Sequence, residues 1–315
     1  MTNLVFFPGL GLEFTLNRVA VTLMGRPIYW YGVLIGFGFF LAVLLCSKWA
    51  PEYGLTEDHI IDSILYAVPV GILGARSYYV IFYLDLYRRA DGSLDWGAIF
   101  RLSDGGLAIY GGLIAAVMGL IFYCRRKKIP FLTFGDLAIQ GLLLGQSIGR
   151  WGNFMNVEAY GSVTDLPWRM CSQSIADELW RKGLLESEEM YFSLMDGTLG
   201  VHPTFLYESL WNLAGFFVVH FVVRRWRKFD GQLFLCYVLW YGTGRTLIEG
   251  LRTDSLYFFG QELFGIPLRT SQVLALVSAV TAGAILFWQL RKKHDPDALF
   301  VNRIQGETEA DGEEE

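Results

Sequence analysis

The stretch IYWYGVLIGFGFFLAVLLCS, residues 28–47, runs twenty residues without a charged side chain. A helix of that length spans about 30 Å, the thickness of a bilayer's hydrocarbon core. Comparable apolar runs lie near residues 60–84, 105–124, 132–149, 204–223, 232–251 and 271–290, which makes seven. Composition agrees, because 53% of the 315 residues are hydrophobic and only 18% are charged, a balance unlike that of a soluble domain of this length. The predicted fold class is therefore an all-α integral membrane protein: a bundle of seven transmembrane helices with a small external insert between helices four and five. Residues 1–27 read as an external N-terminal segment, 28–290 as the membrane domain with its insert at about 152–203, and 291–315 as a basic, then acidic, disordered tail.

The first 27 residues lack the basic start, apolar core and small-residue cleavage pattern of a leader, so the first span is expected to serve as its own signal. Cys46, Cys124, Cys171 and Cys236 show no metal spacing, and three of them fall within spans, where packing explains them better than a disulfide. The net charge of −5 is set by the tail, since Gly306 to Glu315 contribute six acids and no base. The basic residues cluster at helix ends, which suits membrane topology and gives a nucleic-acid partner no support.

Those clusters fix an orientation. Arg125 to Lys128, Arg224-Arg225 with Arg227-Lys228, and Arg291 to Lys293 follow the third, fifth and seventh spans. The positive-inside rule places all three in the cytoplasm, and seven spans then put the N-terminus and the long insert outside. Arg88, Arg89 and Arg101 oppose this mildly and are offset by Asp85, Asp91 and Asp95. With that orientation Tyr31, Arg76, Tyr110, Arg150, Tyr207, Glu208, Arg245 and Glu249 converge on one level. The expectation is a polar cavity in the outer half of the membrane, sealed by apolar helix on the cytoplasmic side.

An arginine near the bilayer centre costs about 2.5–3.5 kcal/mol on insertion scales, so each needs a reason. Tyr241, Arg245, Glu249 and Arg252 are spaced to share one helical stripe. A ligand site and an Arg245–Glu249 pair that merely neutralises two charges both fit that spacing. The run GRWGNFMNVEAYG, residues 149–161, reads as a helix end entering the insert. There Arg150 suits bidentate phosphate binding, Asn153, Asn156 and Glu158 offer hydrogen bonds, and Gly161 allows close backbone approach. An ordinary helix-ending turn fits equally. In HPTFLYE, residues 202–208, Pro203 suits a first helical turn; His202 reads as a cap or hydrogen-bonding partner more readily than as a catalyst. Arg76, in GARSYYV, has structural and functional readings of equal standing, with an acid on another span as its expected partner. The glycines beside Tyr110 fit either a ligand approach or close helix packing.

Taken in order, these motifs resemble the prolipoprotein diacylglyceryl transferases. GRWGNFMNVEAYG is close to that family's signature, and HPTFLYE, YGTGRTLIEGLR at 241–252, Trp30-Tyr31-Gly32, GARSYYV at 74–80 and Ser271-Gln272 agree in sequence order. The resemblance covers about residues 28–290 and implies a bacterial cytoplasmic-membrane enzyme. The implied reaction moves the diacylglyceryl group of phosphatidylglycerol to the lipobox cysteine thiol of a preprolipoprotein. The implied partners are that lipid, the lipobox peptide and the surrounding membrane lipids, with no cofactor and no metal.

By the same resemblance Arg150 and Arg245 are expected to grip the phosphodiester. Tyr31 and Asn153 are expected to bond the headgroup, and Gly161 to shape the backbone. Glu158, Tyr207, Glu208, Tyr241 and Glu249 are expected to hold the arginines; from their own placement, and not from the resemblance, Arg76, Asn156, His202 and Arg252 are expected to line the substrate. One departure stands out: many relatives carry His-Gly-Gly where this chain has Tyr110-Gly111-Gly112. A tyrosine of ordinary pKa, about 10, is a poor base at neutral pH, though Tyr110 can donate a hydrogen bond to the phosphate. Glu249, Glu208 or water is then the expected proton acceptor. Intramembrane arginines also mark transporters of anionic solutes, but no internal repeat is visible here, and a lipid-binding scaffold without chemistry is the remaining rival.

Overall fold

A computed structural model of the chain describes residues 2–89, 91–102, 105–253 and 269–313. It opens with β1 (Thr2–Phe7), β2 (Leu12–Asn17), β3 (Val19–Leu23) and β4 (Arg26–Tyr29). Helices α1 (Trp30–Trp49), α2 (Glu57–Phe82), α3 (Trp96–Phe100), α4 (Ile109–Arg126) and α5 (Phe131–Asn156) follow. The next segment holds β5 (Val163–Thr164), α6 (Gln173–Arg181), α7 (Glu188–Asp196) and β6 (Gly200–Val201). The chain finishes with α8 (Thr204–Phe217), α9 (Gln232–Glu249), α10 (Thr270–Leu290) and α11 (Phe300–Glu313).

Six described helices are long and apolar enough to cross a membrane: Trp30–Tyr53, Glu57–Phe82, Ile109–Arg126, Phe131–Asn156, Thr204–Trp226 and Thr270–Leu290. The chain is a predominantly helical, multi-pass membrane protein. The run expected as a span at 232–251 is α9, which is helical but is not among these six, since Gln232, Arg245 and Glu249 lower its mean hydropathy. Outward-facing Phe40, Leu65, Leu73 and Val280 are more than half exposed, an arrangement that suits lipid rather than water.

The contacts divide the chain into two compact units, Met1–Leu45 with Ala138–His294, and Cys46–Leu137 with Asp295–Glu315. In the second unit α2 and α4 approach closely through small residues. A Cβ on Gly74 would lie 2.1 Å from the Ala115 Cβ, and one on Gly111 2.2 Å from the Tyr78 Cβ. The glycines after Tyr110 thus serve helix packing, and Tyr110 itself is 46% exposed.

Arg76, only 6% exposed, has backbone carbonyls rather than an acid as its hydrogen-bond partners. Its Nε donates to Ile99 (2.8 Å), Nη1 to Gly105 (2.6 Å) and Gly106 (3.0 Å), and Nη2 to Ala98 (2.7 Å) and Arg101 (3.1 Å). A guanidinium has five N–H donors, so the side chain is saturated and has none left for a substrate. The expected ligand role of Arg76 is corrected to that of a clamp on the segment between α3 and α4. Arg76→Ala is expected to cost on the order of 3 kcal/mol by stranding these carbonyls, read as a lower melting temperature in detergent. Melting unchanged from wild type would refute the clamp.

The tail expected to be disordered from residue 291 instead forms a 3-10 turn, Pro296–Ala298, and α11. Phe300 is buried, and Val301 sits so close to Gly54 (φ +69°) that a Cβ there would lie 3.0 Å from the Val301 Cα.

In the first unit β1 and β2 pair antiparallel, as do β3 and β4, whose turn at Met24-Gly25 takes positive φ at both residues. These strands lie in a segment for which the apolar pattern gave no element. Val5 and Phe7 of β1 enter an apolar cluster with Phe154, Tyr160, Ile175, Leu179, Leu194 and Phe205. This cluster joins the N-terminal hairpin, the amphipathic α6 and α7, and the ends of α5 and α8. Deeper along the helices Trp211 and Trp240 stack at 4.8 Å, and each indole N–H donates to the other's carbonyl at 2.9 Å. That reciprocal clasp sets the register of α8 against α9. Gly215 and Gly244, four residues on, make room for the rings.

Candidate active site

Helix α5 does not stop near Gly149 as expected but continues to Asn156, because Trp151 and Phe154 pack on Phe205 (5.5 and 4.6 Å between centroids). Arg150 and Asn153 therefore project from a rigid helix. Left-handed Val157 (φ 53°) and Ala159 (φ 56°) then turn the chain, and the Thr204 hydroxyl at the start of α8 donates to the Ala159 carbonyl. This join places Glu208, on the second turn of α8, opposite Arg150.

The Glu208 carboxylate receives three guanidinium groups. Arg150 Nη2 lies 2.5 Å away, Arg245 Nη1 3.2 Å and Arg252 Nη1 3.4 Å. Glu249 takes the other arm of Arg245 at 2.6 Å and lies 4.0 Å from Arg252 Nε. The carboxylate side chains are 5% and 3% exposed, whereas Arg150 and Arg245 are 21% and 20% exposed. Three guanidiniums against two carboxylates leave one positive charge in the cluster. Burial makes each charge costly unless paired, and here every one is. Among the described residues only one of the five N–H donors of Arg150 is taken, so the partly exposed fork can receive an oxyanion.

Arg252 reaches this network from beyond α9, not from the shared helical stripe, since the helix ends at Glu249. Backbone pairing carries it there: Gly161 N–H donates to the His202 carbonyl (2.9 Å), and Ser162 N–H to that of Leu251 (2.7 Å). A Cβ on Gly161 would lie 2.7 Å from the His202 Cβ and 3.0 Å from the Leu251 oxygen. Gly161→Ala is expected to displace Arg252 and lower turnover about 10²-fold at normal expression. Wild-type turnover would show that this close approach is dispensable.

Several residues expected to hold the arginines are engaged elsewhere. Glu158 accepts from Asn153 Nδ2 (2.9 Å) and Asn156 Nδ2 (3.2 Å), forming a separate polar knot, and the Asn156 carbonyl accepts from Arg18 (2.7 Å). Tyr241 stacks on Tyr237 at 5.6 Å. The Tyr207 oxygen accepts from the Trp168 indole (2.6 Å) and lies 3.2 Å from His202 Nδ1. The Tyr207 hydroxyl can donate to His202 Nδ1 in the neutral tautomer that leaves that nitrogen unprotonated. Burial pushes the His202 pKa below its ordinary value, which favours this neutral form. Tyr31 lies over Gly152, where a Cβ would meet its ring at 2.9 Å. Arg76 and Tyr110 belong to the second unit.

Reading the sequence missed the supports of Glu249. Ser271 Oγ donates to its carboxylate at 2.6 Å, Arg269 donates to its carbonyl, and Gln272 Nε2 donates to the Thr246 carbonyl at 2.9 Å. Ser271-Gln272 was a visible signal, as a motif placed before the last span without a role. One polar pair also lies far from the cluster, along a stretch expected to be apolar. Gln140, fully buried on α5, lies 2.7 Å from His220 Nδ1, about 15 Å along the helix from Arg150.

The fold and site define a multi-pass membrane protein that holds a buried, net-cationic arginine–glutamate cluster at the ends of its helices. The profile described as prolipoprotein diacylglyceryl transferase matches residues 18–288. A phosphatidylglycerol–prolipoprotein diacylglyceryl transferase of Clostridioides difficile strain 630 is 39% identical over 279 residues, covering 89% of this chain and 97% of the relative. Proteins of the same name from Enterococcus faecalis (40% identity, 91% of this chain, 94% of the relative) and Streptococcus pneumoniae (42%, 88% and 96%) are similar along almost their whole lengths. The chain belongs to the prolipoprotein diacylglyceryl transferase family.

Proposed function

We propose that this chain transfers the diacylglyceryl group of phosphatidylglycerol to the thiol of a preprolipoprotein's lipobox cysteine, the first step of lipoprotein maturation. The cysteine sulfur attacks the glyceryl carbon that carries the phosphate ester. The carbon–oxygen bond breaks, a thioether forms, and glycerol phosphate leaves with the bonding electrons. The observation that carries this reading is the single carboxylate of Glu208 shared by Arg150, Arg245 and Arg252, which aligns fixed cations for an anionic leaving group. The relatives' name specifies the same lipid and the same protein class.

In this proposal Arg150 and Arg245 bind the phosphodiester and stabilise the charge that develops as the bond breaks. Their field also lowers the thiol pKa, and Glu249, Glu208 or water receives its proton. Asn153, Tyr31 and Asn156 face the headgroup, while Glu158 holds the two asparagines. The chain crosses the bacterial inner membrane seven times, with α9 as the sixth span and the segment bearing α6 and α7 as an external insert. The N-terminus lies outside, the C-terminus lies in the cytoplasm, and the site faces the outer leaflet.

Purified protein in detergent, given labelled phosphatidylglycerol and a lipobox peptide, should attach lipid to the peptide cysteine. Absence of product from folded, lipid-binding preparations would leave the scaffold reading instead. In the same assay Tyr110→Phe should keep turnover within about tenfold of wild type, because a general base contributes 10²–10⁴-fold. A larger loss with lipid binding intact would make Tyr110 the proton acceptor.

A further inference from the structure

We propose that the outer edge of β1 is a docking strand for an extended segment of the polypeptide substrate. This inference takes its partner from the proposed function, and its geometry comes from the first unit alone. Phe6 N–H donates to the Cys171 carbonyl, and Cys171 N–H to that of Phe6, both at 2.9 Å. The backbone groups of Phe6 thus point away from β2. In an antiparallel strand this direction alternates with each residue, so those of Leu4 and Thr2 also point away from β2. Asn3, Val5 and Phe7 face the β2 partners Leu16, Phe14 and Leu12.

The pairing that Cys171 begins goes no further, because the chain enters α6 at Gln173. Along the edge it abandons lies a cavity of about 300 Å³, lined by Thr2, Leu4 and Phe6 on one side and by Ser172, Ser174 and Asp177 on the other. Leu4 is 51% exposed, and its N–H and C=O make no cross-strand bond on that side among the described residues. Unmade strand bonds in one row are a template for another extended chain, which gains affinity from its main chain and specificity from alternate side chains. Mixed polar and apolar walls suit a peptide and not an acyl chain.

Continuity with the charged cluster favours the substrate over an unrelated partner. Val5 and Phe7 are anchored in the same apolar cluster as Phe154 and Phe205. Phe154 stands one helical turn past Arg150, and Phe205 one turn before Glu208. A peptide laid beside β1 is therefore held by the same packed body that positions the arginines.

Leu4→Pro tests this directly. It removes the edge donor nearest the Cys171 pairing, spares the β1–β2 ladder, and places proline where edge strands tolerate it. The expected result is a rise in peptide KM of about five- to tenfold, with kcat and lipid KM unchanged and Leu4→Ala near wild type. Lipobox peptides N-methylated one position at a time should show on the wild-type protein a KM penalty that alternates with period two. This second arm holds even if Leu4→Pro misfolds. Unaltered peptide KM for Leu4→Pro, or uniform tolerance of N-methylation, would overturn the proposal. So would a wild-type dimer that Leu4→Pro dissociates with peptide KM unmoved, which would give the edge to a second copy of the chain. Failure of the wild type to lipidate the unmodified peptide would instead strike the proposed reaction, and fluorescent-peptide binding would still decide the edge.

Discussion

Glu208→Gln is expected to lower kcat about 10²- to 10³-fold while the KM for phosphatidylglycerol stays within about threefold of wild type. The amide keeps the shape of the side chain but offers one neutral oxygen to three guanidinium groups that now share a carboxylate. The cluster goes from three cations and two anions, net +1, to three cations and one anion, net +2. The added positive charge still attracts the anionic lipid, so ground-state binding survives. What disappears is the common anchor that keeps Arg150 and Arg245 on one leaving group, and that alignment matters in the transition state. Glu208→Leu should go further and cost about 3–5 kcal/mol of stability, because the buried cations lose their partner outright. Steady-state kinetics with labelled lipid, beside melting curves in detergent, separate the two effects. A Glu208→Gln enzyme of normal kcat would mean that the arginines are held by something else.

Arg245→Lys should be nearly as damaging, with turnover reduced about 10²- to 10³-fold, or roughly 2.7–4 kcal/mol of lost transition-state stabilisation. Arg245 spans Glu208 with one nitrogen (3.2 Å) and Glu249 with the other (2.6 Å). A lysine ammonium keeps the charge but is a single point on a flexible stem and cannot bridge both carboxylates. Arg150 stands on a different helix and shares the same anchor, so Arg150→Lys combined with Arg245→Lys should cost less than the sum of the single changes. Strict additivity would indicate two independent sites. Retention of full activity by Arg245→Lys would reduce the residue to a charge-balancing role.

Much of this was readable from apolar run lengths. Six of the seven expected spans are membrane-length apolar helices at the expected places, although α5 runs seven residues past its expected end. The remaining one, α9, falls short because the residues that make it interesting also lower its hydropathy. Arg150, Arg245, Glu208 and Glu249 stood out because charge in an apolar stretch is expensive, and they do meet. Arg252 joins them for a reason that periodicity could not supply, a backbone bridge at Gly161. Arg76 had the same sequence signature as Arg150 and the opposite outcome, since only coordinates reveal five carbonyls converging on its donors. Ser271, Arg269 and the Trp211–Trp240 clasp depend on contacts between helices distant in sequence. The N-terminal hairpins lack the long apolar runs used to find spans and were correspondingly invisible.

A structure of the protein with phosphatidylglycerol bound would decide whether the arginine cluster is the headgroup site. The phosphate is expected within about 3 Å of both Arg150 and Arg245, inside charge-assisted hydrogen-bond range, with the acyl chains extending among the helices. A phosphate seated away from both guanidiniums, while Glu208 keeps all three arginines to itself, would contradict the site described above.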